Sequence, residues 1–216
     1  MNKYNLNPQA EKVINELIEA EKKGIIRKMY NLSTSDARIA YRNMRNSLSP
    51  SPENVYKVKN LDLGKFKARY YRGNKNSHDK ILPVMLFFHG GGWVIGDLET
   101  HDTVCRQIAN SANFDILSID YGLGPEHPYP AAINHSVNAL NWLFTEKHDL
   151  PIDNERIGVC GDSAGGNIAS VLTLLNRDNL KKNILYQALI YPSTDLFGEY
   201  KSKITYDGLI LSKPLI

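Results

Sequence analysis

The sequence predicts an α/β fold with a central, mostly parallel sheet, and three observations carry that expectation. Ile81–Phe88 is a continuous apolar run of the kind buried on both faces of a parallel sheet. From Phe114 onward, apolar stretches of strand length alternate with stretches of helical period. Two glycine-rich turns, His89–Gly92 and Gly161–Gly166, directly follow strand segments. Alternating β and α segments around buried strands imply a sheet covered by helices.

The elements follow in order. Asn7-Pro8 reads as an N-cap with proline at the first helical position, and Ala10, Val13, Ile14, Leu17 and Ile18 share a face before Gly24 stops the helix. A second helix starts within Ser33–Ser35 and carries Ile39 and Met44, and Ser47–Pro52 reads as a linker. Tyr56/Val58 alternate with Lys57/Lys59, and Phe66/Ala68/Tyr70 with Lys67/Arg69/Tyr71, which predicts a half-exposed antiparallel pair. After a polar turn at Gly73–Lys80 comes the strand Ile81–Phe88. Then follow a helix near Thr100–Ala112, a strand at Phe114–Asp120, a helix at Ala131–Thr145, a short strand at Ile157–Cys160, a helix at Asn167–Arg177 and a strand at Ile184–Tyr191.

Composition narrows the function class without naming it. The 216 residues suit one domain of ordinary size, with 42% hydrophobic and 23% charged residues. A net charge of +3, with basic residues scattered among 23 acidic ones, argues against a nucleic-acid partner. The start, Met1-Asn2-Lys3-Tyr4-Asn5, has no signal-peptide run, and the longest apolar run is far too short for a membrane span. Cys105 and Cys160 sit in apolar segments and read as buried reduced thiols of a cytoplasmic protein. The histidines share no helix face with a second ligand, so no metal is expected, and no motif calls for a cofactor.

Gly161-Asp162-Ser163-Ala164-Gly165 lies between a strand and a helix, the context in which G-x-S-x-G marks a strained turn that exposes a serine nucleophile at the sheet edge. Side chains at the flanking glycines would meet neighbouring backbone. No lysine follows as a phosphate-binding loop requires. His89-Gly90-Gly91-Gly92 ends the strand Ile81–Phe88 and therefore lies on the same edge. Acyl transfer builds charge on a carbonyl oxygen, and backbone N–H groups on a glycine turn suit its stabilisation. The N–H of Ala164, at the start of the following helix, is a further donor. His89 anchors the loop, and Asp162 is a structural hydrogen-bonding group of the elbow.

Together, His89–Gly92 continued by Trp93-Val94-Ile95-Gly96-Asp97, Pro125-Glu126-His127-Pro128 and Gly161–Gly166 resemble the hormone-sensitive-lipase family of esterases. Thr100-His101-Asp102 through Ile108-Ala109 resembles the helix after that family's oxyanion loop, and Ile190-Tyr191-Pro192 the strand after its elbow. The resemblance implies an α/β-hydrolase fold and cofactor-free hydrolysis of small carboxylic esters of short to medium acyl length by Ser163, with the oxyanion donors at Gly91, Gly92 and Ala164 and Gly90 shaping the loop. It also implies a helical N-terminal cap at residues 1–50, a partial core at 51–192 and the start of a second cap segment at 193–216.

Two departures stand out. Tyr121-Gly122-Leu123-Gly124-Pro125 has glycines where the family shows an arginine and an alanine, which predicts a looser loop. The fold's triad runs serine, acid, histidine along the chain, yet His78, His89, His101, His127, His135 and His148 all precede Ser163. The sheet's last strands and the acid and histidine loops are therefore expected to be missing from the C-terminal end, on the order of 60–100 residues at ~30 per βα unit. Asp195 is the one candidate replacement acid. Such a chain is expected to be inactive alone and to self-associate or to pair with a complementing C-terminal fragment. A non-catalytic ligand-binding module and an amidase are the alternative readings.

Overall fold

The computed structural model describes residues 4–75, 80–145, 149–209 and 211. His78 and His148, and residues 76–79 of the polar turn, lie outside them. Two compact units are present, Met1–Ala40 with Asp195–Ile216, and Tyr41–Thr194.

In the first unit, helix α1 (Pro8–Lys22) starts where Asn7 accepts the Gln9 N–H at 2.9 Å, with proline in the first turn. Only Ile14 of the expected apolar face is buried. Helix α2 (Thr34–Leu48), whose residues from Tyr41 on belong to the second unit, is capped by Ser33, whose hydroxyl accepts the Asp36 N–H at 3.2 Å. It runs through Leu48, so the expected linker at Ser47–Pro52 begins inside a helix. The rings of Tyr4 and Tyr206 lie 6.0 Å apart.

The second unit is built on a six-stranded sheet of β1 (Lys57–Asp62), β2 (Lys67–Arg72), β3 (Leu82–Phe88), β4 (Asp115–Asp120), β5 (Ile152–Asp162) and β6 (Ile184–Ile190). Their order is β1-β2-β4-β3-β5-β6; β1 and β2 run antiparallel to their neighbours, and the rest are parallel. Helix α3 (Asp102–Ser111) covers one face through Cys105 and Ala109, against Tyr71, Met85, Phe87, Ile116 and Cys160. Helices α4 (Ala131–Thr145) and α5 (Ala164–Leu175) cover the other, against Val84, Leu86, Phe88, Leu117 and Ile119. Successive β3 side chains point to opposite faces, and both faces are covered, which is why Val84–Phe88 is apolar without alternation.

Two expectations change. β2 is not half-exposed: α3 lies over the face that the sequence left to solvent, so Tyr71 is as buried as Ala68 and Tyr70, and Arg72 is buried on the face of Tyr70. The charge on Arg72 is met by Asp115, with Nη2–Oδ2 at 2.6 Å and Nε–Oδ1 at 3.0 Å, and Tyr70 donates to the same carboxylate at 2.6 Å. β5 is longer than Ile157–Cys160 because the polar stretch Asp153–Arg156 precedes a shift of register against β3. Likewise α5 begins three residues early, at Ala164, where the two glycines mask the helical period. Both cysteines are buried and free, and burial raises both thiols, Cys160 to about 11. Among the described residues no helix is long and apolar enough to cross a membrane.

Candidate active site

β3 and β5 are parallel neighbours with Phe88 opposite Gly161, so the loops that follow them emerge side by side. Ser163 stands between β5 and α5 with φ 53° and ψ −117°. A left-handed φ at a residue with a Cβ stores about 1–3 kcal/mol, sustained only where the surroundings fix it. Here the Ser163 N–H donates to Ile190 O at 2.9 Å, and Ser163 O accepts from Asn167 N and Ser193 N, both at 3.1 Å. Asn167 closes the ring by donating from its side chain to Ser193 O at 2.7 Å. Glycine at 165 is dictated by space, since a Cβ there would stand 1.9 Å from Phe88 O. The elbow can press against the end of β3 only without it.

On the adjoining loop Gly91 and Gly92 both have positive φ, 125° and 58°. The Gly90 N–H donates to Asp162 Oδ1 at 2.9 Å. Those of Gly91 and Gly92 have no hydrogen-bond partner among the described residues, and Gly91 O is engaged by Val94 N and Ile95 N. Ala164 is the first residue of α5, so its N–H has no acceptor within the helix. Three N–H groups thus stand open on loops that meet at one sheet edge, and Ser163 is partly exposed among them.

Three of the four described histidines are engaged elsewhere. His89 is fully buried; Nδ1 donates to Gly90 O at 2.8 Å, and Tyr121 stacks on the ring at 4.4 Å and donates to His89 O at 2.6 Å. Burial, aided by the neighbouring His101, lowers His89 to about 4, so it is neutral. His101 pairs with Thr100 and Asp162. His135 Nδ1 accepts the Gly122 N–H at 2.9 Å, and His127 is exposed in its turn. No hydrogen bond joins any of them to Ser163 Oγ among the described residues. Asp195 is held by Tyr200 Oη at 2.6 Å and by the N–H groups of Phe197 and Gly198.

The loop expected to be slack is tied. Gly122 donates to His135, Gly124 donates to Trp93 O at 2.8 Å, and a Cβ at Gly122 would come within 2.8 Å of His127. Glycine here fits a close contact, so it does not loosen the loop. What the sequence reading missed is the support at 97–101. Thr100 N donates to Asp97 Oδ1 at 2.8 Å, Asp97 N donates to Thr100 Oγ1 at 2.9 Å, and Arg42 of α2 grips the Asp97 carboxylate. The signal was an Asp-x-x-Thr pattern just ahead of a helix, the spacing of a reciprocal cap.

The alpha/beta hydrolase fold family matches residues 85–215. The chain belongs to that family. Among its alpha/beta hydrolase relatives, esterase LipI of Mycobacterium tuberculosis is 51% identical over 112 residues, 52% of this chain and 35% of that protein. The carboxylic ester hydrolase LipN of the same organism is 37% identical over 177 residues, 76% of this chain and 46% of that protein. An ester-hydrolase from the metagenome of Lake Arreo superposes with a TM-score of 0.91 at 33% identity, covering 97% of this chain and 68% of its own. A hyperthermophilic esterase from Pyrobaculum calidifontis gives 0.87 at 32% identity, covering 97% and 67%. The chain thus spans about a third to a half of the length of these curated relatives. Within the alpha/beta hydrolases it is of the hormone-sensitive-lipase-like group, and the relatives above are named esterases and ester hydrolases.

Proposed function

We propose that this chain carries the nucleophile half of a carboxylic ester hydrolase acting on small-molecule esters. Ser163 attacks the ester carbonyl, and the N–H groups of Gly91, Gly92 and Ala164 hold the oxyanion that forms. The observation that carries the reading is the elbow: a serine at positive φ, partly exposed, beside a glycine loop with two open N–H groups. Gly161 and Gly165 allow the close turn, while His89, Gly90 and Asp162 support the loop.

A serine of ordinary acidity needs a general base. His89 and His101 are committed elsewhere, so the base and its orienting acid come from a further segment, joined in the same chain or supplied as a complementing fragment. Without it, the oxyanion hole and binding leave only ~10³–10⁴-fold acceleration over water. Residues 1–50 and 193–216 are read as two cap segments, a reading supported by the grouping of Met1–Ala40 with Asp195–Ile216 in one compact unit. The buried free thiols suit a cytoplasmic, reducing setting.

The test is hydrolysis of p-nitrophenyl acyl esters by this chain joined to the C-terminal part of an esterase relative. Turnover that disappears in Ser163→Ala is expected. Turnover that survives Ser163→Ala refutes the reading.

A further inference from the structure

The Asp162 side chain reaches from the elbow across to the glycine loop. Its Oδ1 accepts the Gly90 N–H at 2.9 Å, and His101 Nε2 lies 3.2 Å from Oδ1 and 3.4 Å from Oδ2. Both residues are buried, His101 to 2% and Asp162 to 9% exposure. The carboxylate fills the space beside Gly90, where a Cβ would stand 2.3 Å from Oδ2. A buried carboxylate is stable only when donors saturate it. Here one donor is the loop it must hold and the other is His101. Because Nε2 faces carboxylate oxygens, it carries a proton and donates. Nδ1 is engaged by Thr100 Oγ1 at 2.9 Å, which fixes the ring's orientation. Thr100 is braced in turn by Asp97 and by Arg45, whose Nε donates to Thr100 O at 3.2 Å.

We propose that His101 is a positioning residue for the oxyanion loop: held by Thr100, it orients the Asp162 carboxylate, which pins the Gly90 N–H and so sets where Gly91 and Gly92 point. This rests on the reading of those N–H groups as oxyanion donors, but the contacts can be tested without turnover. The other groups that feel the Asp162 charge are His89, the phenols of Tyr41, Tyr121 and Tyr191, and the thiols of Cys105 and Cys160. The phenols and thiols all have raised pKa values and stay neutral in acid. Burial works against ionisation of Asp162, yet the His101 hydrogen bond and charge and the Gly90 N–H hold it below the usual carboxylate range.

The experiment is amide hydrogen exchange and chemical shift at Gly90 in the ¹⁵N-labelled chain, with His101→Phe and His101→Gln. Gln keeps a donor for Asp162, whereas Phe keeps only the bulk. Exchange at Gly90 is expected to accelerate at least tenfold in the Phe variant and to return to within about threefold of wild type in the Gln variant. Equal effects of the two substitutions, or none, overturn the proposal. Should the Phe variant fail to fold, the wild-type titration decides. The Gly90 amide resonance is expected to shift in a step below the usual carboxylate pKa, separate from the His89 step at about 4, and the absence of that lower step down to the acid-unfolding limit overturns it. Ser163 chemistry enters neither readout, so failure here is separate from failure of the esterase reading.

Discussion

The two edges of the sheet occupy equivalent places and are made of opposite materials. β1, Lys57-Val58-Lys59-Asn60-Leu61-Asp62, is exposed along almost its whole length and carries charge at both ends and in the middle. β6, Ile184-Leu185-Tyr186-Gln187-Ala188-Leu189-Ile190, has no charged residue, although Leu185 and Tyr186 are 54% and 40% exposed. Lysines on an edge strand oppose pairing with another chain, whereas an apolar edge invites it. β1 has the composition of a strand that ends a sheet, and β6 that of a strand with neighbours on both sides. The elbow lies on β5, between this apolar edge and the closed half of the molecule.

The largest expected effect tests the edge directly. Light scattering on this 216-residue chain should show a mass that rises with concentration, and Leu185→Lys should weaken the association at least tenfold. A monomer at all concentrations breaks the comparison. On the closed side, Asp115→Ala strands the Arg72 charge in the interior and should cost about 3–5 kcal/mol by chemical denaturation. A loss below about 1 kcal/mol would mean that β2 is not held as described.

The interior beneath the site should respond to acid. His89 titrates near 6.5 when unfolded and about 4 when folded, so between those values the unfolded state binds the extra proton. Stability should therefore fall by roughly 3 kcal/mol as pH drops from 6.5 to 4, and His89→Phe should flatten that window. An unchanged slope in the variant assigns the acid sensitivity to other groups. The smallest effect belongs to β1. Lys59→Ile should change stability by less than about 0.5 kcal/mol while making the chain associate more readily, and unchanged association would show that the lysine does not protect that edge.

Where burial was symmetrical the sequence was legible. The run Ile81–Phe88 announced an interior strand, and Gly161–Gly165 announced the elbow, because these patterns answer to local geometry. β2 was misread because period-two alternation reports polarity, and a buried Tyr71 looks solvent-facing until its partner Asp102 is known from a distant part of the chain. The same blindness hid His101. Its importance comes from Asp162, 61 residues away, and no periodicity records a side chain-to-side chain contact across two loops.

The Arg72–Asp115 pair has a consequence for how the chain finds its own alignment. β2 lies antiparallel to β4 with Tyr71 opposite Ile116. A slip of one residue turns every β2 side chain over. Arg72 would then leave Asp115 and point toward Met85, Phe87 and Cys105, none of which can neutralise a guanidinium. The misaligned sheet would leave the Asp115 carboxylate unpaired in the interior, whereas a purely apolar pair at these positions would leave no such charge. The ion pair works as a key with one fit, penalising the wrong alignment more than it rewards the right one.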